Sequence, residues 1–230
     1  PVAAVSNSTK DDLLQLGLTN VTVVPPGRDE PPELYGLEQE PVPTFLFVGR
    51  LAANKRPDHA IEVFRIIKNE LPSARLWLVG TGPLEAELAR TLPEHATLLG
   101  RLPREELYAR MATAHCLLVP SVREGWGMVV IEANSVGTPA VGYDVGGIRD
   151  SIRDGRTGLL ATAGDPVALA TQAISLVTDD ARYEAMRSAA MDWAHRFSWE
   201  RTADGLMELA LGGTQEARAR EGREHALGTH

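Results

Sequence analysis

The stretch Ser121-Val122-Arg123-Glu124-Gly125-Trp126-Gly127-Met128-Val129-Val130-Ile131-Glu132-Ala133-Asn134 decides the fold of this chain. It follows the apolar run Cys116-Leu117-Leu118-Val119-Pro120 and reads as strand, loop and helix. Buried-type residues stopped by Pro120 predict the strand, and the apolar stretch from Met128 to Ala133, closed by Gly137 and Pro139, predicts the helix. Glu124 then lies in the loop and Glu132, eight positions on, in the helix. Gly125 and Gly127 let the backbone approach a ligand with no Cβ in the way, and the free N–H groups of the helix start point to the same place. The pattern describes an anion site with a carboxylate on either side. Read alone it is more simply an ordinary Gly-rich turn with a solvated helix glutamate.

Working outward, the chain from Thr44 alternates short apolar strands with amphipathic helices, which predicts an α/β fold: a doubly wound, Rossmann-like parallel sheet covered on both faces. The expected strands are Thr44–Val48, Arg75–Val79, Ala96–Leu99, Cys116–Val119, Pro139–Tyr143 and a short one at Gly158–Ala161. Pro57 opens a helix whose Ala60, Phe64, Ile67 and Leu71 share one face, and Pro103 starts another with Glu105 and Glu106 in its first turn. The loops after the strands line up along one edge of such a sheet, where ligands bind. Arg50 and Lys55, Gly80 to Pro83, Arg101, Glu124 to Gly127, and Gly146-Gly147 therefore converge on one crevice.

Before Thr44, Val2–Val5 and Val21–Val24 read as strands around a short helix from Lys10 to Leu16, with caps at Ser6 to Thr9 and a stop at Gly17. One strand pair cannot form a core. Residues 1–24 are thus expected to be the end of a preceding domain, and the Pro-rich 25–43 a linker. The main Rossmann-like domain would run over 44–197. Asp165-Pro166 caps a late helix, Tyr183, Met186, Ala190, Trp193 and Phe197 form the apolar face of another, and Ser198 caps a last helix over 198–213. Residues 214–230 form a charged tail.

A net charge of −8 and a pI near 5.3 argue against a nucleic-acid partner, so any phosphate must be held by a few local cations. Hydrophobic residues make up 43%, enough for a substantial core. The single Cys116 lies in an apolar run, which favours a small buried residue over a nucleophile and fits a reducing, cytoplasmic setting. No apolar run is long enough for a membrane span. The start at Pro1 rather than Met fits a missing N-terminal part.

Arg50 and Lys55 sit in a glycine-preceded loop at a strand end. Singly they would be solvated surface charges. Beside a helix N-terminus they suit a diphosphate, Arg as a planar fork and Lys as a movable point charge. Glu132 can accept two ribose hydroxyls, and Glu124 the hydroxyls of a second sugar.

Glu124 and Glu132 with seven residues between them, inside Glu124-Gly125-Trp126-Gly127, resemble the glutamate pair of the retaining nucleotide-sugar glycosyltransferases of family four (group 1). Gly49-Arg50 with Lys55, Gly80-Thr81-Gly82-Pro83, Gly100-Arg101-Leu102, Val119-Pro120-Ser121, Gly137-Thr138-Pro139 and Gly146-Gly147 follow that family's pattern in order, from about Ser6 to Leu209. The resemblance implies the carboxyl-terminal, donor-binding half of a GT-B enzyme. It assigns Arg50 and Lys55, with Gly49, Thr81 and Gly82 nearby, to the donor diphosphate, Glu132 to the ribose, and Glu124 with the backbone of Gly125, Trp126 and Gly127 to the donor sugar. Main-chain groups of Arg101 and Leu102, with Val119, would hold the base. It implies a nucleoside-diphosphate sugar as substrate, no cofactor and no required metal, and retention by attack from the face the diphosphate leaves. The chain departs from the pattern at Asp150, where Glu is commoner, at Pro26, where Asn usually precedes Gly27, and at Arg56, where Gly often follows the lysine. The extra cation of Arg56 is expected to tune donor choice.

Two alternatives remain at this point: a nucleotide-sugar epimerase or hydrolase of similar fold, and a non-catalytic binding module. A glycosidase fits less well, because the crevice is built for phosphate. With the acceptor-binding partner domain absent, the fragment alone is expected to bind donor without turnover. Attachment of the full enzyme at the inner membrane face would be decided by that other half.

Overall fold

The computed structural model describes residues 1–212. Two parallel strands, β1 (Val2–Ala4) and β2 (Val21–Val23), flank helix α1 (Asn7–Gln15). Ser6 caps α1, its Oγ accepting the Thr9 N–H at 3.0 Å. The segment 24–43 carries no strand or helix; its one ladder contact is a bridge of Arg28 to Ser198.

The main sheet comprises β3 (Thr44–Val48), β4 (Arg75–Val79), β5 (Ala96–Gly100), β6 (Cys116–Val119), β7 (Ala140–Tyr143) and β8 (Gly158–Ala161). All pairs are parallel and the order is β5-β4-β3-β6-β7-β8. The order reverses between β3 and β6, which places the ligand crevice there. Helices α2 (Pro57–Glu70), α3 (Glu85–Thr91), α4 (Arg104–Thr113), α5 (Met128–Ser135), α6 (Ile148–Ser151), α7 (Pro166–Val177) and α8 (Asp180–Ala194) follow the strands, and a last helix, α9, covers 199–212.

Alternation along the strands feeds two cores. Phe45, Phe47, Leu76, Leu78, Cys116 and Leu118 point to one face, against Phe64 of α2 and Leu169 of α7. Leu46, Trp77, Val79, Leu117 and Val119 point to the other, against Tyr108, Met111, Val130 and Ile148. Cys116 is fully buried, and burial pushes its thiol up, away from nucleophilic chemistry.

Elements fall close to expectation, with one correction. Phe197 lies beyond the end of α8 and packs edge-on to Trp193 at 4.9 Å instead of extending that helix. Arg28, in the Pro-rich segment, is buried: Nε donates to Ala194 O at 3.2 Å, and Nη1 pairs with Glu30 at 3.0 Å. The segment is thereby clasped to the end of α8 and the start of α9, where Thr202 Oγ1 donates to Pro25 O at 2.9 Å. The expected tail, 214–230, lies outside the described residues.

Candidate active site

The loops at the carboxyl edge are laced to one another. Gly80 N donates to Gly100 O at 2.7 Å, Gly49 N to Val79 O at 3.0 Å, and Leu51 N to Thr81 O at 3.0 Å. Val122 N donates to Asn54 O at 3.2 Å, tying the loop after β6 to the loop after β3. Glycine is required at two of these contacts. Gly80 has φ +132, and a Cβ there would overlap the Gly49 carbonyl; Gly147 has φ +81, and a Cβ there would overlap the carbonyl of Glu124. The band of loops from Gly100 through Gly80, Gly49, Asn54 and Glu124 to Gly147 is therefore continuous.

Within it, Lys55 and Glu124 meet. The Lys55 ammonium forms an ion pair with Glu124 Oε1, which also accepts the hydroxyl of buried Ser121 at 2.9 Å. Their side chains are 27% and 13% exposed, so the pair is partly shielded from water. Arg50 is exposed on the same loop. Gly127, at φ +87, is the left-handed N-cap of α5, which has no side-chain cap, so the first N–H groups of the helix face the loop uncapped by a side chain.

Glu132, on α5, is half-buried. Burial pushes its carboxyl above the ordinary range; the charge of Asp29 adds to this and that of Arg104 opposes it. Ligand hydroxyls donated to such a carboxylate would favour its ionised form.

The N-terminal segment reaches the same loops. Asp150 Oδ2 accepts Ser8 N at 3.0 Å and Ser8 Oγ at 2.6 Å, at the first turn of α1. Burial raises this carboxyl, but the hydrogen bonds from Ser8 outweigh it and hold it below the ordinary value. Thr9 Oγ1 donates to Gly125 O at 3.4 Å. Between the two lies a polar cavity of about 320 Å³ bounded by Ser8, Asp12, Arg123, Glu124 and Arg149.

The expected site residues separate into groups. Gly49, Arg50, Lys55, Thr81, Gly82, Glu124 and Gly125 lie in the laced band. Arg101 and Leu102 follow β5, Arg101 exposed and Leu102 packed on the α4 side of the core. Val119 is buried in the sheet, paired with Gly142. Trp126, expected beside the donor sugar through its backbone, turns its side chain away from the loop. Its ring is buried 5.0 Å from that of Phe197, in a cluster with Ile131 and Ala194, so only its backbone faces the loop. Arg56, expected to tune donor choice, is turned to Asp58 at 3.0 Å and to His59, whose Nδ1 lies 2.7 Å from Tyr143 Oη. Arg56 has φ +50, a left-handed conformation, which is why glycine suits this position. Ser8 and Ser121 were not among the expected residues. Ser121, three positions before Glu124, is the one with a local signal.

Among the described residues no helix is long and apolar enough to cross a membrane. A family model described as "Glycosyl transferases group 1" matches residues 36–193. A D-inositol 3-phosphate glycosyltransferase of Rhodococcus opacus is 37% identical over 198 residues, covering 80% of this chain and 44% of that protein. A GDP-mannose-dependent alpha-(1-6)-phosphatidylinositol monomannoside mannosyltransferase of Mycolicibacterium smegmatis is 32% identical over 207 residues, covering 84% and 53%. Among solved structures, Anabaena Alr3699/HepE in complex with UDP and glucose superimposes with a TM-score of 0.77 at 20% identity, over 92% of this chain and 63% of that one. The chain thus spans about half the length of the curated relatives it matches. With its six-stranded parallel sheet and the laced loops at the switch point, the chain belongs to the group 1 glycosyl transferases and shares the GT-B fold of its structural neighbours.

Proposed function

We propose that this chain is the donor-binding half of a retaining glycosyltransferase, which moves a sugar from a nucleoside-diphosphate sugar to an acceptor. The observation that carries the reading is the meeting of Lys55 and Glu124 at the point where strand order reverses, beside the uncapped start of α5. Lys55 and Arg50 stabilise the diphosphate as charge builds on it. Glu124, released from Lys55, takes donor-sugar hydroxyls, and Glu132 takes the ribose. The base lies against the main chain of Arg101 and Leu102. The acceptor is deprotonated by a diphosphate oxygen, so no enzyme nucleophile and no resident metal are needed.

Residues 1–24 are the end of the acceptor-binding half, joined by 25–43 to the donor domain. With that half incomplete the crevice has one wall, and the chain alone binds donor without turnover. The matched relatives act on inositol phosphate and on a phosphatidylinositol mannoside, which supports a polyol or glycolipid acceptor class for the full protein. Release of free sugar from a nucleotide sugar without acceptor would favour the epimerase or hydrolase reading instead.

The test is calorimetric titration with UDP, GDP and ADP, each against its nucleoside and repeated on Glu132→Ala. One diphosphate binding and failing in the variant is the expected result. Equal binding of diphosphate and nucleoside would remove the diphosphate site.

A further inference from the structure

A second cavity, of about 630 Å³, lies between the turn before β8 and the end of α8. That turn stands at the amino end of its strand, so the cavity opens on the side of the sheet opposite the crevice. Arg153, Arg156 and Arg196 line it with Trp193, Asp154 and Asp192.

The guanidinium carbon of Arg153 stands 4.3 Å from the Trp193 ring centroid, and that of Arg196 5.6 Å. The indole is fixed, its Nε1 donating to Ser151 O at 2.8 Å and its ring edge-on to Phe197. The turn is fixed too: Arg153 N donates to Oγ1 of buried Thr157 at 2.9 Å, and Gly155 N to Gly158 O at 3.0 Å. Asp154 Oδ1 accepts the N–H of Leu160 at 2.9 Å, so this carboxylate is engaged by backbone. Among the described residues, none of the three arginines is ion-paired with a carboxylate.

Three guanidiniums gathered without carboxylate partners repel one another, in a chain whose net charge is −8. Arg153 and Arg196, stacked on a locked indole, keep their planar N–H forks free and preorganised for a compact anion with several acceptor oxygens, and Arg156 adds a third from the turn. The volume suits a small molecule or a headgroup. Three arginines against two aspartates leave an excess of one positive charge, which favours a compact anion over an extended polyanion.

We propose that this groove is a binding site for a phosphomonoester, separate from the donor crevice, with Arg153, Arg156 and Arg196 as its ligands. The phosphomonoester could belong to a soluble metabolite or to a lipid headgroup, and the experiment separates these sources. The probes are glycerol 3-phosphate and phosphatidylcholine vesicles with or without phosphatidic acid. The readouts are the Trp193 indole N–H resonance, assigned by Trp193→Phe, and co-sedimentation with vesicles.

A shift of that resonance by glycerol 3-phosphate identifies a soluble ligand; sedimentation only with phosphatidic acid identifies a headgroup. In either case Arg153→Gln/Arg196→Gln is expected to weaken binding about tenfold or more, from two charge-assisted hydrogen-bonding groups lost. Arg156→Gln, on the exposed turn, supplies the same test should the double variant fail to fold. Absence of both signals overturns the proposal. So does binding undiminished in the variants, or equal binding of a glutamate-rich peptide without phosphate.

Discussion

Lys55 and Glu124 are each other's partners: the ammonium from the loop after β3 rests on the carboxylate from the loop after β6. The two groups proposed to hold opposite ends of the donor are thus paired in the free protein. Binding of a diphosphate must separate them, and the carboxylate it leaves beside the anion repels it. Glu124→Gln removes both costs. Nucleoside diphosphate binding should then tighten by about fivefold, for a part-buried pair worth roughly 1 kcal/mol. Nucleoside binding should stay unchanged. Calorimetry reads both, and a weaker diphosphate affinity in the variant would refute the pairing argument.

Glu132 is expected to trade stability for binding. Its carboxyl is raised on folding, by burial first and Asp29 second. Such a group favours the folded state below the unfolded pKa, and that contribution is lost as pH rises through the folded pKa. At neutral pH the ionised side chain is therefore a destabilising presence. Glu132→Gln should raise the melting temperature at pH 7 and weaken nucleotide binding in the same sample. In the parent protein, nucleotide affinity should fall as pH drops through the raised pKa of Glu132. A melting temperature that falls in the variant would contradict this.

The turn at Gly147 should be intolerant of any side chain. A Cβ there would overlap the Glu124 carbonyl, and φ is +81. Gly147→Ala is expected to cost about 1–3 kcal/mol from the forced conformation alone. By displacing Glu124 it should also loosen Lys55. Urea denaturation measures the first effect and diphosphate titration the second. Gly155→Ala, at φ +72 with open space around it, is the control for strain without displacement.

Asp150 ties the main domain to α1. Its carboxyl is held below the ordinary value, where burial is outweighed by the bonds from Ser8. That stabilisation is present above the unfolded pKa and lost as pH falls through the folded one. Asp150→Asn should lower stability by roughly 0.5–1 kcal/mol, a modest figure because solvent screens the half-exposed carboxylate. The difference from the parent should vanish under acid conditions. Hydrogen exchange at the Ser8 and Thr9 amides should rise in the variant.

The strands could be read because each carries its own signal: Thr44–Val48 and Gly158–Ala161 are bounded by punctuation and fall where expected. Glu124 and Lys55 could be placed near one another by topology, since both follow strands at the switch point. Their direct pairing could not, because it depends on rotamers. Trp126 shows the limit differently. It lies in an irregular loop, where no period tells which way a side chain turns, and it turned inward to Phe197. Ser8 and Asp150 are 142 positions apart, and nothing local in either stretch marks the other as its partner.

The glycine contacts between the loops after β3 and β4 bear on how this site can change over generations. Gly80 and Gly82 lie against the backbone of residues 49–51 with no room for a Cβ. An insertion in either loop would need a matching one in the other at the same time. Point changes in side chains that face outward, such as Arg101, need no such coincidence. Divergence toward new donors should therefore proceed by substitution on a backbone of constant length, and indels should accumulate elsewhere in the chain.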